Sequence, residues 1–136
     1  MLEDGLDEES HMSRVLIVDN EGPIRAMLAD VLRASGYNVS VARSGFEAIE
    51  MIPALRPDLV MLDVSMPGFD GWATLQHLRQ ELPDTRVMMM SGTDHQERAL
   101  AQGAVSFLDK PYRPSDVLRL VAWSLGEEPG RPARAA

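Results

Sequence analysis

The chain has 136 residues, a formal net charge of -8 and no cysteine. The lack of cysteine excludes a disulfide framework, a thiolate metal cluster and a cysteine nucleophile, and the acidic balance argues against non-specific binding to nucleic acid. No apolar run approaches the roughly 18 to 20 residues of a membrane span, so we expect no contact with a membrane. The length fits one domain, which we expect to be cytoplasmic and not to bind nucleic acid directly.

The two ends of the chain differ in composition from the region between them. Residues 1–12 contain five acids and no Lys or Arg, and they end in a Ser-His-Met sequence that resembles a cloning junction. This stretch is predicted to be a disordered acidic tail or a remnant of cloning. Residues 127–136 are rich in Pro, Gly, Arg and Ala, which predicts a flexible C-terminal tail. The folded domain is therefore expected to span residues 13–126.

The first half of this region alternates strand-like and helix-like patterns. Residues 15–18 form a continuous apolar run, which is typical of a central parallel strand covered on both faces. The apolar residues at 24–32 recur with helical spacing and predict the first helix. Alternation within 38–43 indicates an edge strand, and the helix that follows is expected to break or kink at Pro53.

The second half continues the alternation. Apolar runs at 59–62 and 87–90 predict two more central strands, and 105–108 predicts a short fifth strand. The fourth helix has only Ala99 and Leu100 as an apolar stripe, so it is expected to be weakly anchored and able to move. The helices of this half are predicted at residues 72–82, 94–102 and 117–125, and Pro114, Ser115 and Asp116 are the start signals of the last one.

These elements predict an α/β fold with a doubly wound, five-stranded parallel sheet of order 2-1-3-4-5, the flavodoxin-like (βα)5 arrangement. In this order the carboxyl ends of the strands form a crevice around the switch point between the first and third strands. Polar residues that follow the strands are expected to meet there. They are Asp19, Asn20, Asp63, Ser91 and Lys110.

Asp63 is the best candidate for chemistry, because an acid at the end of an apolar strand is costly unless it has a function. Lys110 is the only lysine of the chain, which favours a site that needs a compact ammonium charge. Together these residue types suit phosphoryl transfer onto a carboxylate, assisted by an oxygen-ligated Mg2+. A phosphoryl group on Asp63 would draw Ser91 inward and leave space for the ring of Phe107.

Four motifs carry a resemblance to a known family. They are Val18-Asp19-Asn20-Glu21, Leu62 to Gly68, Met90-Ser91-Gly92 and Asp109-Lys110-Pro111-Tyr112. With these motifs the chain resembles the response-regulator receiver domain of two-component signalling, of the chemotaxis-regulator type. The resemblance implies a phosphorelay module that takes a phosphoryl group from a histidine kinase or histidine phosphotransfer protein. Apart from autodephosphorylation, such a module is not an enzyme.

The resemblance also implies a role for each site residue. Asp63 would be the phosphoacceptor, Ser91 and Phe107 the switch residues, and Lys110 the phosphate-binding lysine, followed by a cis peptide bond to Pro111. Phosphorylation would change the face formed by the fourth helix, fifth strand and fifth helix, where an unidentified downstream protein or a second copy of the chain would bind. The implied Mg2+ ligands are Asp19, Asp63, the backbone carbonyl of Ser65 and Asn20.

Asn20 departs from the family, which carries a metal-ligating acid at this position. An amide oxygen coordinates a metal without adding charge, so Mg2+ is expected to bind weakly, about tenfold or more below the usual affinity. The alternative function is a pseudo-receiver, a protein-binding module that acts independently of phosphorylation. A phosphatase of the haloacid-dehalogenase type is disfavoured, because it needs an acid at the position of Ser65.

Four further side chains receive no predicted role in the site. His77 and His95 have no partners at metal-ligand spacing and are expected to face solvent. Trp72 and Trp123 are expected to pack on helix faces.

Overall fold

A parallel five-stranded sheet organises the chain, as described for residues 12–127 in a computed structural model. The strand order is β2-β1-β3-β4-β5, which confirms the predicted order. Residues 1–11 of the predicted acidic tail and 128–136 of the predicted C-terminal tail lie outside the described residues. The strands are Arg14–Val18 (β1), Asn38–Ala42 (β2), Leu59–Asp63 (β3), Arg86–Ser91 (β4) and Ser106–Asp109 (β5), and the helices are Gly22–Ala34 (α1), Gly45–Leu55 (α2), Gly71–Glu81 (α3), Gln96–Ala101 (α4) and Pro114–Ser124 (α5).

The central strands are buried on both faces, which explains their continuous apolar runs. In β3, all five residues are buried. Alternate residues of the sheet enter two separate cores, one shared with α1 and α5 and the other with α2, α3 and α4. Leu28 of α1 and Val121 of α5 are completely buried in the first core, as are Leu75 and Leu78 of α3 in the second. Each such side chain contributes about 1.5 to 3 kcal/mol of hydrophobic stabilisation.

Helix α4 contributes least to the core. Ala99 is its only buried residue, and Leu100 is 43% exposed. This helix is also shorter than the predicted 94–102, because few apolar side chains hold its ends against the sheet. The structure therefore agrees with the expected weak anchoring of α4.

Two details of the predicted local structure were wrong. The break proposed at Pro53 does not occur, because helix α2 continues to Leu55, and Arg56 closes it in the left-handed conformation with φ 52. The missing N–H of Pro53 is tolerated because only two helical residues follow it. In β2, the simple alternation fails, since Val41 is 37% exposed whereas Ala42 is completely buried.

Glu127, at the end of the described residues, contacts residues near their start. Its carboxylate accepts hydrogen bonds from the Ser13 hydroxyl at 2.8 Å and from the Tyr37 hydroxyl at 2.9 Å. These contacts join the segment after α5 to the start of β1 and to the α1–β2 connection. Among residues 12–127, no helix is long and apolar enough to cross a bilayer.

Candidate functional site

The register of the sheet brings the polar strand ends together. Val18 pairs with Leu62, so the next residues of these two strands, Asp19 and Asp63, lie side by side at the carboxyl edge. Ser91 ends β4, and its backbone carbonyl accepts a hydrogen bond from the N–H of Lys110 at 2.9 Å. The carboxyl edge of the sheet therefore gathers side chains from four segments of the chain.

Gly71, the first residue of α3, allows this helix to pack directly against the strand that carries Asp63. A Cβ atom at this position would overlap the backbone carbonyl oxygen of Asp63 and lie 2.8 Å from the Cα of Val64. The Gly71 N–H donates to the Val64 carbonyl at 3.1 Å, and the Asp70 carboxylate caps the helix by accepting from the Ala73 N–H at 2.9 Å. The close approach of α3 thus fixes the backbone around Asp63.

The Asp63 carboxylate is buried and paired with a lysine. Lys110 Nζ donates to Asp63 Oδ1 at 3.3 Å, and the Ser65 N–H donates to the same oxygen at 3.4 Å. Burial raises the pKa of Asp63, although the adjacent Lys110 charge acts to lower it. The peptide bond between Lys110 and Pro111 is cis, as the resemblance implied. The pair places a carboxylate, a group chemically able to act as a nucleophile, next to a compact positive charge.

Asp19 presents a buried oxygen with no partner. Its Oδ1 accepts from the Glu21 N–H at 2.9 Å, whereas Oδ2 has no hydrogen-bond partner within residues 12–127. Burial raises the pKa of Asp19, and the neighbouring Asp63 charge raises it further. A buried acceptor without a partner is unfavourable, and a bound cation would satisfy it.

The donors at this edge suit a hard cation. Asp19 and Asp63 offer carboxylate oxygens, the Ser65 carbonyl is two residues from Asp63, and Asn20 offers an amide oxygen, which matches the oxygen ligation of Mg2+. Asn20 is exposed and uncharged. Within the described part of the chain, no group of three or more His, Cys, Asp or Glu side chains is arranged to hold a metal. The residues therefore fit Mg2+. They offer the ion two carboxylates, those of Asp19 and Asp63, whereas an acid at position 20 would add a third.

Ser91 is held by residues that follow β4. Its hydroxyl oxygen lies 3.1 Å from Thr93 Oγ1 and 3.1 Å from His95 Nδ1, and it accepts a hydrogen bond from the Thr93 N–H at 3.1 Å. The expectation that His95 faces solvent was wrong, because its ring is half-buried between Ser91 and the indole of Trp72. Trp72 itself packs on the core as expected.

Phe107 lies in a groove on another face of the domain. The groove has a volume of about 520 Å³ and runs between α4, β5 and α5. Phe107 is half-buried and contributes to its wall together with Leu100 and Trp123. Trp123 does not pack on a helix face as expected, because it is 61% exposed at the rim of the groove.

Comparison with known proteins connects this geometry to one family. The family model of the response regulator receiver domain matches residues 15–122. The chain belongs to the response-regulator receiver family. It is 35% identical over 109 residues to the chemotaxis protein CheY of Thermotoga maritima, a match that covers 77% of this chain and 91% of CheY. The structure of chemotaxis protein CheY4 of Vibrio cholerae superposes with a TM-score of 0.78 at 30% identity, covering 83% of this chain and 98% of CheY4.

A longer relative shows the same similarity over part of its length. The DNA-binding response regulator MtrA of Mycobacterium tuberculosis strain H37Rv is 33% identical over 122 residues, which cover 88% of this chain and 54% of MtrA. The receiver thus spans about half the length of the mycobacterial relatives that it matches. Receivers are signalling modules and do not turn over external substrates.

In this receiver, sequence reasoning missed two neighbours of the site. Burial raises the pKa of Tyr112, and the charges of Asp19 and Asp63 raise it further. Its position in the motif after Lys110 was the available signal. His95 was missed because histidines were considered only as metal ligands. The available signal was its position four residues after Ser91.

Proposed function

We propose that this receiver accepts a phosphoryl group on Asp63. The supporting observation is the hydrogen-bonded pair of Lys110 Nζ and Asp63 Oδ1, 3.3 Å apart. Beside it lies Oδ2 of Asp19, which has no hydrogen-bond partner in the described part of the chain. A carboxylate oxygen of Asp63 attacks phosphorus, and the bond between phosphorus and the donor breaks with its electron pair leaving on the donor. Lys110 then has a second set of oxygens to bind, those of the phosphoryl group.

Mg2+ is part of this proposal. Asp19, Asp63, the Ser65 carbonyl and Asn20 would hold the ion, which when bound supplies positive charge opposite the phosphoryl oxygens. Because Asn20 adds no charge, we expect the affinity for Mg2+ to be weak.

The proposed partners follow from this chemistry. The phosphoryl donor is a histidine kinase or a histidine phosphotransfer protein, and the output is an unidentified downstream protein. The surface for the output is the groove between α4, β5 and α5, where Phe107, Leu100 and Trp123 are accessible. A homodimer through the same surface is also part of the proposal, as is a cytoplasmic location.

Mass spectrometry tests the phosphoacceptor role. The chain is incubated with acetyl phosphate or phosphoramidate and MgCl2, and its intact mass is measured beside that of Asp63→Asn. We expect an added mass of about 80 Da, one phosphoryl group, that the variant does not acquire. Asp109→Asn is a matched control, since this exposed acid also ends a strand, β5, which β4 separates from β3. This variant should be labelled like the unsubstituted chain. Labelling of Asp63→Asn would show that another residue is the acceptor.

The second candidate is a pseudo-receiver that binds a protein independently of phosphate. The observation that favours it is Asn20, which leaves the site with two carboxylates and an exposed neutral amide. A folded chain that gains no mass even at high MgCl2 would support this function and contradict phosphorylation of Asp63. Restored labelling in Asn20→Asp would then identify the missing charge as the cause.

A further inference from the structure

The hydroxyl of Ser91 is already engaged in the unphosphorylated receiver. It lies 3.1 Å from His95 Nδ1 and 3.1 Å from Thr93 Oγ1, and its oxygen accepts the Thr93 N–H. Ser91 is buried, with 3% of its surface exposed, so water offers little replacement for these contacts. Among the described residues, it makes no hydrogen bond to Asp63, whose own partners are Lys110 and the Ser65 N–H.

A hydroxyl has one proton to donate. If Ser91 donates that proton to a phosphoryl oxygen on Asp63, it cannot donate it to His95 at the same time. A hydrogen bond from the Ser91 hydroxyl to Nδ1 of His95, in the tautomer whose Nδ1 accepts, is therefore made before phosphorylation and broken after it. Any interaction of this kind stabilises the unphosphorylated arrangement and opposes the phosphorylated one.

His95 is itself fixed by aromatic packing. Its ring meets the Trp72 indole edge-on, with 5.5 Å between ring centroids, and the guanidinium of Arg98 lies 3.9 Å from the centre of the same indole. Trp72 belongs to α3 and Arg98 to α4, whereas His95 is the residue before α4. The imidazole is thus held against α3 in a position where Nδ1 faces two hydroxyls, that of Ser91 at 3.1 Å and that of Thr93 at 2.9 Å.

We infer that His95 is a positioning residue that holds Ser91 in its unphosphorylated place, so that phosphorylation of Asp63 must release Ser91 from His95. The inference rests on the proposed function, since it concerns the response of the same site to a phosphoryl group. Because His95 adjoins α4, the release also loosens the start of the helix that is least anchored to the core. His95 thereby sets how readily the receiver switches.

The test measures how tightly beryllium fluoride, a phosphoryl-like adduct of carboxylates, binds at saturating MgCl2. His95→Phe keeps a ring against Trp72 and removes the nitrogen, so we expect binding about fivefold tighter, the factor for one net hydrogen bond. His95→Asn places a hydrogen-bonding atom near the position of Nδ1 and should restore binding to within about twofold of the unsubstituted chain. His77→Phe, the same substitution on α3, is the matched control and should leave binding unchanged.

A double-mutant cycle separates this role from a general effect on structure. In the Ser91→Ala background, His95→Phe should no longer tighten binding, because the group through which it acts is absent. An equal gain in both backgrounds, or no gain in His95→Phe alone, would overturn the inference while leaving phosphorylation of Asp63 intact. Failure of the unsubstituted chain to bind beryllium fluoride and to gain a phosphoryl group would overturn the proposed function, and this inference with it.

Discussion

Asp19 carries a buried carboxylate oxygen that no hydrogen-bond donor within residues 12–127 reaches. Burial raises its pKa above the usual value, and the charge of Asp63 raises it further. A pKa that is higher in the folded than in the unfolded state means that the ionised form is disfavoured by folding. At a pH where Asp19 is ionised in both states, this charge therefore lowers the free energy of unfolding. The Asp19 carboxylate thus destabilises the metal-free domain at the position where a cation would be held.

Replacing Asp19 with Asn should stabilise the metal-free domain. The substitution removes the buried charge and its repulsion with Asp63, and we expect the free energy of unfolding to rise by about 1 kcal/mol. Urea denaturation in the presence of EDTA measures the change. Asp30→Asn on the exposed surface of α1 is the matched control and should stay within about 0.5 kcal/mol of the unsubstituted chain. A destabilised Asp19→Asn variant would show that the carboxylate has a structural role.

Asn20→Asp should restore affinity for Mg2+. The added carboxylate supplies one unit of charge at the metal position, worth roughly 1 to 4 kcal/mol. Binding should therefore strengthen by about fivefold to several hundredfold, with about 1.4 kcal/mol giving tenfold. Titration calorimetry with MgCl2 gives the dissociation constant directly. Asn38→Asp makes the same change at the exposed start of β2, the opposite edge of the sheet, and should have no effect. Equal affinities for the unsubstituted chain and Asn20→Asp would mean that residue 20 does not ligate the metal.

At the scale of elements, the sequence predicted the central strands well and the ends of helices poorly. Apolar runs marked β1, β3 and β4 because both faces of these strands are buried. Helix α4 has one buried residue to fix its position, so periodicity could not set its ends. Pro53 misled the prediction for α2, since a proline near a helix end removes a donor without stopping the helix.

The start of α3 depends on the absence of a side chain at Gly71. A Cβ there would overlap the Asp63 carbonyl oxygen, and that atom is backbone and has little freedom to move. Gly71→Ala should therefore lower the free energy of unfolding by about 3 kcal/mol and displace the backbone of Asp63. Gly22→Ala is the control, because its Cβ would meet only the end of the Arg25 side chain, at 3.7 Å.

Thermal unfolding and phosphorylation with acetyl phosphate measure both effects. Gly71→Ala should unfold at a lower temperature and, at a temperature where it is still folded, gain phosphate more slowly than Gly22→Ala. Unfolding of Gly71→Ala at the same temperature as Gly22→Ala would mean that α3 moves away from β3 without cost.

At the scale of the whole molecule, topology predicted which strand ends would meet but not how their side chains would pair. The order β2-β1-β3-β4-β5 follows from the pattern of elements, and it brings Asp19, Asp63 and Lys110 to one edge. Side-chain torsions decide which oxygen of Asp63 Lys110 approaches and place the Ser91 hydroxyl next to His95. The periodicity of the sequence does not encode these torsions. Residue types thus indicated which polar groups lie at this edge, whereas the contacts of Ser91 could not be predicted from the sequence.

The site and the stability of the whole domain should be coupled through Mg2+. A ligand that binds only the folded state stabilises it by about 2.7 kcal/mol at a concentration one hundred times the dissociation constant. For a domain of this size, that corresponds to a rise of about 10 °C in the unfolding midpoint. We expect this rise on addition of MgCl2 to the unsubstituted chain, and a much smaller one in Asp19→Asn, which lacks one of the two carboxylates.

Charge screening by any salt also favours folding of a chain with net charge -8. Calorimetric scans in MgCl2 and in NaCl of equal ionic strength therefore separate specific binding from screening. Equal rises in the two salts would show that screening alone is responsible and that the carboxyl edge does not bind the ion. A rise specific to MgCl2 that persists in Asp19→Asn would place the ion elsewhere on the acidic surface. Only a rise specific to MgCl2 and lost in Asp19→Asn agrees with a cation held between β1 and β3, where it offsets the cost of the buried Asp19 oxygen.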